Sequence, residues 1–288
     1  MRLALGTVQF GLRYGIANVS GQVTRPQAKA MLQLAAANGI DTLDTAIVYG
    51  DSEACLGEIG TKGFKVVTKL PAVPEGCVDV TGWLQDQVSA SLTRLGISSL
   101  YGLLLHRSEQ LFSPCGETLY RGLQELKDAG QVQKIGLSIN SPHELNLLIP
   151  RFRFDLIQAP FNLIDRRLQT SGWLQRLNND KVEVHTRSAF LQGLLLMGPS
   201  EIPTKFMRWK HLWLVWHQWI KERECSPVEA CLAFSLSFPE IDRVVVGADS
   251  ADQLAQIITA ANLQREFEFP ALQCEDGLLI SPAGWPTL

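Results

Sequence analysis

Short apolar runs alternate along the chain with longer segments whose apolar residues recur at helical spacing. The runs are rich in Val, Ile and Leu, as expected of parallel strands that are buried on both faces. The first longer segment begins with Pro26 and ends at Gly39, which are helix start and stop signals. Eight strands are predicted, at residues 2–6, 41–46, 64–69, 100–106, 133–139, 154–160, 181–187 and 241–248.

One predicted helix follows each of these strands. Eight such pairs predict an α/β fold, the (β/α)8 or TIM barrel, in a single domain over residues 1–288. A doubly wound sheet would need a Gly-rich phosphate loop after its first strand, and GTVQFG at 6–11 lacks that motif. The helices are predicted at 26–39, 52–60, 79–96, 117–130, 142–150, 168–179, 226–238 and 250–261.

Two additions interrupt the alternation, an extra loop and helix near 190–224 and a C-terminal tail from about residue 266. In the extra helix Trp213, Trp216 and Trp219 are spaced three apart. This spacing favours one packed helical face, with a ligand-stacking role as the alternative.

Composition narrows the partners of the chain. The formal net charge is −3 with no basic run, so neither nucleic acid nor an anionic membrane surface is expected as a partner. The apolar runs are too short to span a bilayer. The six Cys have no metal-ligand spacing, which predicts reduced thiols in a cytoplasmic protein and no metal site. No feature predicts the oligomeric state.

Four ionisable residues lie at or just past the ends of the second, third and fourth predicted strands. Asp44 and Tyr49 follow the second strand, Lys69 ends the third and His106 ends the fourth. In a barrel of this type all strand C-termini open onto one face, which carries the active site. We therefore expect these four side chains, here called the tetrad, to meet in space.

The tetrad suits proton transfer to a carbonyl oxygen. A Tyr phenol has an unperturbed pKa of about 10, and a nearby ammonium that is held by a carboxylate favours its phenolate. Lys69 and Asp44 fit these two roles for Tyr49, and His106 can orient a substrate oxygen. A Schiff-base lyase that uses Lys69 is an alternative, although Asp44 should keep that amine protonated.

The segments DTAIVYGDSE, VVTKL and LLLH resemble the aldo-keto reductases, and the likeness covers nearly the whole chain. The tetrad of that family matches Asp44, Tyr49, Lys69 and His106 in order. The resemblance implies a barrel that binds a nicotinamide cofactor without a Rossmann motif. It also implies reduction of an aldehyde or ketone, with a sugar as one candidate, and Tyr49 as the acid/base. The alternative is a regulatory barrel that senses the cofactor and has only vestigial turnover.

The resemblance also implies a set of cofactor-binding residues. Ser138 and Gln158 would hydrogen-bond the carboxamide, and Gly6 and Thr7 would lie near the nicotinamide ribose. Arg187 stands where many members carry a stacking Tyr; a guanidinium plane can also stack on a ring, but it brings positive charge. The full set is Gly6, Thr7, Ser138, Gln158, Arg187, Ser188, Leu191, Gln192, Gly193, Gly247, Asp249, Ser250 and Gln253.

Asp249 bears on the choice between NADP(H) and NAD(H). Family members that prefer NADPH usually carry a cation at this point, because a 2′-phosphate needs one. A carboxylate would repel that phosphate and could accept hydrogen bonds from ribose hydroxyls instead. Because most family members use NADP(H) and another loop could supply the cation, NADP(H) is slightly favoured as the cofactor. NAD(H) is the alternative.

The expected substrate is a small carbonyl compound, bound by the loops after the first strands and by the C-terminal segment. Most candidate residues there are apolar. Arg107, next to the tetrad histidine, could meet an acidic group of the substrate or be a solvated surface residue. The candidates are Val8, Phe10, Tyr14, Ile47, Val48, Arg107 and Trp285.

Overall fold

The computed structural model describes residues 1–287 and contains eight parallel strands that close into one barrel in chain order. All eight predicted strands are present, with ends that differ by at most two residues, so the predicted (β/α)8 fold is confirmed. The strands are β1 (Leu3–Gly6), β2 (Thr42–Asp44), β3 (Lys65–Leu70), β4 (Leu100–Leu105), β5 (Val132–Ser138), β6 (Leu156–Pro160), β7 (Glu183–Arg187) and β8 (Arg243–Val246).

Helices follow every strand, and several short ones are added to the eight that were predicted. The predicted helix 168–179 is divided in two at Gly172, whose φ of 77° lies in the left-handed region. The α-helices are α1 (Val8–Gly11), α2 (Arg25–Ala37), α3 (Ser52–Ile59), α4 (Val80–Leu95), α5 (Gly116–Asp128), α6 (His143–Leu148), α7 (Arg167–Thr170), α8 (Trp173–Asn179), α9 (Lys210–Arg223), α10 (Pro227–Leu236), α11 (Ala251–Asn262) and α12 (Gly277–Ile280). The 3-10 helices are Ser108–Phe112, Leu191–Leu196, Thr204–Trp209 and Pro282–Thr287.

The inside of the barrel is layered. Val67, Leu104 and Leu156 form a small apolar cluster separate from the main core. Because side chains alternate along a strand, the residue two positions later points to the same side one level higher. At this higher level the strand ends carry polar residues. Lys69 lies two positions after Val67, His106 two after Leu104 and Gln158 two after Leu156.

The extra helix packs as a structural element. Trp216 and Trp219 are buried and stack with their ring centroids 5.9 Å apart. The indole N–H of Trp216 donates to the backbone carbonyl oxygen of Leu195 at 3.1 Å, and that of Trp219 donates to the backbone carbonyl oxygen of Glu268 at 3.2 Å. The packed-face interpretation of the Trp-rich helix is therefore confirmed. Among residues 1–287, no helix is both long and apolar enough to cross a bilayer.

Candidate active site

The carboxyl ends of the strands open onto a cavity of about 670 Å³, which is within the size range of small-molecule sites. Its wall takes residues from the ends of all eight strands or from the loops that follow them, and from the C-terminal tail. All four tetrad residues line it. The expectation that Asp44, Tyr49, Lys69 and His106 meet at one end of the barrel agrees with this arrangement.

Lys69 and Asp44 form a buried ion pair on the floor of the cavity. The distance from Lys69 Nζ to Asp44 Oδ2 is 2.6 Å, and only 1% of the lysine side chain is exposed. Nζ also donates to the carbonyl oxygen of Thr45 at 3.0 Å, and Gln158 Nε2 donates to Asp44 Oδ1 at 2.6 Å. Burial alone would lower the pKa of Lys69, but the charges of Asp44 and Tyr49 outweigh it, so this pKa is raised.

Tyr49 and His106 lie above this pair. Lys69 Nζ is 5.3 Å from the centroid of the Tyr49 ring. The Tyr49 and His106 rings meet edge to face with centroids 6.1 Å apart. Burial, then the positive charges of Lys69 and Arg187, lower the pKa of His106 to about 4. His106 is therefore a neutral hydrogen-bonding group at pH 7 rather than a cation.

The turn that presents Tyr49 is fixed by a contact between two backbones. A Cβ on Gly11 would lie 1.7 Å from the carbonyl oxygen of Tyr49. Gly50 has a φ of 52°, and a Cβ there would lie 2.5 Å from the carbonyl oxygen of Gly11. Only glycine fits at these two positions, so α1 can pack directly on the turn that follows β2.

Glu53 ties together the elements behind Lys69. Its Oε1 accepts hydrogen bonds from the hydroxyls of Thr68 and Ser91, each at 2.7 Å. Its Oε2 accepts two from Arg94, at 2.9 and 2.7 Å. This buried carboxylate joins α3, β3 and α4 next to the strand position that carries Lys69.

A second group of polar side chains lines the cavity at the ends of β5, β6 and β7. The strand register pairs Ser138 with Gln158, and Ser138 Oγ donates to Gln158 Oε1 at 3.4 Å. Arg187 Nη2 donates to the carbonyl oxygen of Ile139 at 3.1 Å and to Asn140 Oδ1 at 2.7 Å. Ser138, Gln158 and Arg187 therefore lie at neighbouring strand ends and make this side of the cavity polar.

The backbone after β7 is strained. Ser188, Leu191 and Gln192 have φ values of 65°, 47° and 53°, in the left-handed region that L-residues seldom adopt. Such conformations cost about 1–3 kcal/mol each and persist where the surrounding structure fixes them. Asn162 Nδ2 contributes to this by donating to the carbonyl oxygen of Ser188 at 3.0 Å.

The far end of the cavity is formed by the loop between β8 and α11. Asn18 Nδ2 donates to Asp249 Oδ1 at 3.0 Å. Burial raises the pKa of Asp249, and hydrogen bonds from Gln9 and Asn18 oppose this shift. The Asp249 backbone N–H donates to Gln253 Oε1 at 2.8 Å, and Ser250 caps α11 by accepting from the Gln253 N–H at 3.1 Å.

Residues 12–24, here called the strap, run between two walls of the cavity. At one wall Gln192 Nε2 donates to the Tyr14 hydroxyl at 3.1 Å. At the other wall the strap holds Asp249 through Asn18. The strap therefore connects the loop after β7 with the loop after β8.

Most predicted cofactor-binding residues lie in the cavity wall. Leu191 is fully buried in the core and Ser250 caps α11, and neither lines the cavity. The residues in the wall are Gly6, Thr7, Ser138, Gln158, Arg187, Ser188, Gln192, Gly193, Gly247, Asp249 and Gln253.

The predicted substrate residues divide more evenly. Val8 and Tyr14 line the cavity, whereas Ile47 does not. Phe10 is fully buried because its side chain is on the core side of α1.

The other three candidates also lie outside the wall. Val48 is 47% exposed on the surface. Arg107 is exposed and forms an ion pair with Glu109 at 3.6 Å. Trp285 is buried against Phe206, with ring centroids 4.7 Å apart.

Several wall residues were not predicted from the sequence. Asn140 follows the end of β5, so the strand-end rule that found the tetrad could have found it. Gln9 and Asn18 lie after β1 but carry no motif of their own. The C-terminal tail was expected to contribute to the substrate site through Trp285, but the tail residues in the wall are Ile280, Ser281, Pro282 and Ala283.

Comparison with known proteins gives consistent results. A model of the Aldo/keto reductase family matches residues 2–269. The chain is 26% identical to the uncharacterized oxidoreductase YqkF of Bacillus subtilis, over 93% of this chain and 94% of that protein. It is 24% identical to the NADH-specific methylglyoxal reductase of Escherichia coli, over 62% of this chain and 60% of the relative. The fold resembles that of the aldo-keto reductase AKR11C1 from Bacillus halodurans in its holo form, with a TM-score of 0.73, 19% identity and coverage of 96% and 94% of the two chains.

Proposed function

Because the chain belongs to the aldo/keto reductase family, we propose that it reduces an aldehyde or ketone with Tyr49 as the general acid. Membership makes it an NAD(P)-dependent oxidoreductase of carbonyl groups. The observation that carries the proposal is the position of the buried Lys69 ammonium, 5.3 Å from the Tyr49 ring and paired with Asp44 at 2.6 Å. The bound cofactor supplies the hydride that the carbonyl carbon accepts.

In this proposal Tyr49 gives its proton to the carbonyl oxygen as the hydride arrives. The Lys69 ammonium stabilises the negative charge that then remains on the tyrosine oxygen. Asp44 keeps Lys69 charged and in place, since an unpaired ammonium at this depth would tend to lose its proton. The same pairing argues against a Schiff base, which needs the neutral amine.

His106 is proposed to orient the substrate. Its pKa of about 4 leaves the imidazole neutral at pH 7, so it is a poor source of the transferred proton. A neutral ring can still donate one hydrogen bond to a carbonyl oxygen that lies next to Tyr49. This division of roles assigns the proton to Tyr49 and the positioning to His106.

The residues present fit a nicotinamide cofactor. Ser138 and Gln158 offer a hydroxyl and an amide to the carboxamide, beside the tetrad. At the far end, the N-terminus of the 12-residue helix α11 can hold a phosphate group through its backbone amides. The wall between these ends includes Gly193 and Gly247, where the missing side chains let Ala17 and Gln9 pack against the backbone.

We propose NADH as the preferred cofactor. Among residues 1–287, the permanently charged basic side chains in the cavity wall are Lys69 and Arg187, and both belong to the catalytic end. The far end presents the Asp249 carboxylate, which repels a 2′-phosphate and can accept hydrogen bonds from ribose hydroxyls. If the protein instead preferred NADPH, Arg13 on the exposed side of the strap would be the candidate cation for the 2′-phosphate.

The decisive experiment compares the wild-type protein with Tyr49→Phe. Cofactor oxidation is followed with a panel of aldehydes, ketones and oxidised sugars, and cofactor affinity is followed by quenching of tryptophan fluorescence. We expect turnover to fall by about 100-fold or more, the contribution of a positioned general acid, while cofactor affinity changes little.

Tyr120→Phe is the matched control, because the Tyr120 hydroxyl contacts the backbone of Arg153 and lies outside the cavity. It should leave both turnover and affinity unchanged. Retention of turnover in Tyr49→Phe would overturn the assignment of the proton donor. A wild-type protein that binds cofactor but turns over no member of the panel would favour the regulatory alternative.

A further inference from the structure

Arg187 places a charge without a counter-ion at the catalytic end of the cavity. Its hydrogen-bond partners are neutral: the carbonyl oxygen of Ile139, Asn140 Oδ1 and the Ser188 hydroxyl. Within the part of the chain that the structure describes, no carboxylate forms an ion pair with this guanidinium. Unbalanced positive charge in a cavity wall is costly unless a ligand or solvent compensates it.

The position of this guanidinium is fixed by the barrel. Arg187 ends β7, in register with Pro160 at the end of β6. Its two contacts, at 3.1 and 2.7 Å, hold Nη2 against the carboxyl end of β5, next to Ser138. The guanidinium therefore belongs to the polar wall beside the tetrad and cannot swing freely into solvent.

The other charges in the wall do not cancel it. Lys69 and Asp44 neutralise each other at 2.6 Å. Asp249 lies at the far end, where it is bound to Asn18. The net charge at the catalytic end is therefore that of Arg187, and its field reaches the ring of His106.

We propose that Arg187 makes the site select between the two redox states of the nicotinamide cofactor, binding the reduced form more tightly than the oxidised form. The inference rests on the proposed function, which places the nicotinamide ring beside Tyr49. Loss of a hydride converts a neutral ring into a positively charged one. A fixed positive charge in the adjacent wall therefore destabilises only the oxidised form.

This selection has a consequence for the direction of the reaction. Because the affinities and the internal equilibrium are linked, weaker binding of the oxidised cofactor makes the bound oxidised cofactor a stronger hydride acceptor, so the internal equilibrium itself does not gain from the selection. Weaker binding also speeds release of the oxidised cofactor after each turnover. Fast release of the oxidised cofactor and tight binding of the reduced cofactor suit carbonyl reduction better than alcohol oxidation.

The expected size follows from Coulomb's law. Two unit charges about 7 Å apart, at an effective dielectric constant of about 40 for a cavity open to solvent, change an affinity ratio by roughly fivefold to tenfold. The measured quantity is the ratio of the dissociation constants of NAD⁺ and NADH, determined by isothermal titration calorimetry at fixed salt and pH 7.

Three variants test the proposal. Arg187→Gln removes the charge and keeps a hydrogen-bonding amide, and it should lower the ratio fivefold to tenfold, mainly by strengthening NAD⁺ binding. Arg187→Lys keeps the charge and should keep the ratio within about twofold of wild type. Asn140→Ala removes one partner of the guanidinium but no charge, so it should also keep the ratio.

An unchanged ratio in Arg187→Gln, with both cofactors bound, would overturn this inference and leave the proposed function intact. If Arg187→Gln instead raised KM for a carboxylate-bearing carbonyl compound but not for its neutral analogue, at an unchanged ratio, Arg187 would bind substrate and the inference would be wrong. Absence of binding of either cofactor to folded wild-type protein would overturn the proposed function itself.

Discussion

Asp44→Asn removes a single charge from the floor of the cavity while preserving the shape of the side chain. In the wild-type protein Asp44 Oδ2 is 2.6 Å from Lys69 Nζ, and the lysine side chain is 1% exposed. The amide oxygen of the new asparagine can still accept the hydrogen bond that Gln158 now donates at 2.6 Å. The variant therefore leaves the Lys69 ammonium buried without its counter-charge, and the new amide NH2 group faces this ammonium in place of the accepting Oδ2.

The expected loss of stability is large. Removing one partner of a buried ion pair costs about 3–5 kcal/mol, because the remaining charge is uncompensated. The unfolding entropy is about 2.1 cal/mol/K per residue, or roughly 0.6 kcal/mol/K for a chain of 288 residues. We therefore expect the melting temperature of Asp44→Asn to fall by about 5–8 °C.

The stability of Asp44→Asn should depend on pH differently from that of the wild-type protein. In the wild-type protein the pKa of Lys69 is raised above its ordinary value of 10.5, so the stability it contributes is fully present below that pH. Without Asp44, burial dominates and should lower the pKa of Lys69 below its unfolded value. The unfolded state then binds more protons, and the free energy of unfolding of the variant should rise between pH 7 and 9.

Urea denaturation at pH 6, 7, 8 and 9, followed by tryptophan fluorescence, measures both effects. Asp41→Asn is the matched control, since this carboxylate pairs with Lys65 and Arg243 at the opposite end of the barrel and is 39% exposed. It should cost at most about 1 kcal/mol. An Asp44→Asn protein within about 1 kcal/mol of wild type, with no rise in stability towards pH 9, would refute the reasoning.

Three further predictions concern the ends of the cavity. The pKa of His106 is about 4 in the folded protein and 6.5 in the unfolded chain, so the unfolded state binds more protons between these two pH values. The free energy of unfolding of the wild-type protein should therefore fall as the pH drops from 6.5 to 4. His106→Asn should flatten that fall, as measured by urea titration. Asp249→Asn should strengthen NADPH binding relative to NADH by about fivefold to tenfold in fluorescence titrations, because it removes a like charge from the far end. Asn18→Ala should raise the NADH dissociation rate in stopped-flow experiments, because the strap loses its 3.0 Å bond to the far wall, and an unchanged rate would show that the strap does not retain the cofactor.

The barrel and the positions of the tetrad could be predicted because both follow from local periodicity. Lys69 and His106 come two residues after the inward-facing Val67 and Leu104, so a strand pattern alone places them one level higher in the barrel. The expectation that active-site residues lie at the carboxyl ends of the strands needs only the end of each apolar run. The predicted ends agree with the observed strands to within two residues.

The residues that the sequence failed to place depend on contacts between distant parts of the chain. Asn18 meets Asp249 across 231 positions, and no periodic pattern carries that information. The orientation of Phe10 is set by how α1 packs on the core, and that of Trp285 by its contact with Phe206. Leu191 was assigned to the cofactor from the family resemblance, but its side chain is buried in the core, where the backbone has a φ of 47°.

The two charges at the ends of the cavity act in the same direction. Oxidised NADP carries a positive ring and an anionic 2′-phosphate, so it would meet Arg187 at one end and Asp249 at the other, with like charges facing each other at both. NADH carries a neutral ring and free ribose hydroxyls at these points, so it meets neither repulsion. Since Arg187 ends β7 and Asp249 lies in the loop after β8, at the far end of the cavity, each can be neutralised separately. We therefore expect Arg187→Gln to change selectivity for redox state alone, Asp249→Asn to change selectivity for the 2′-phosphate alone, and the double variant to show the sum of the two free energies.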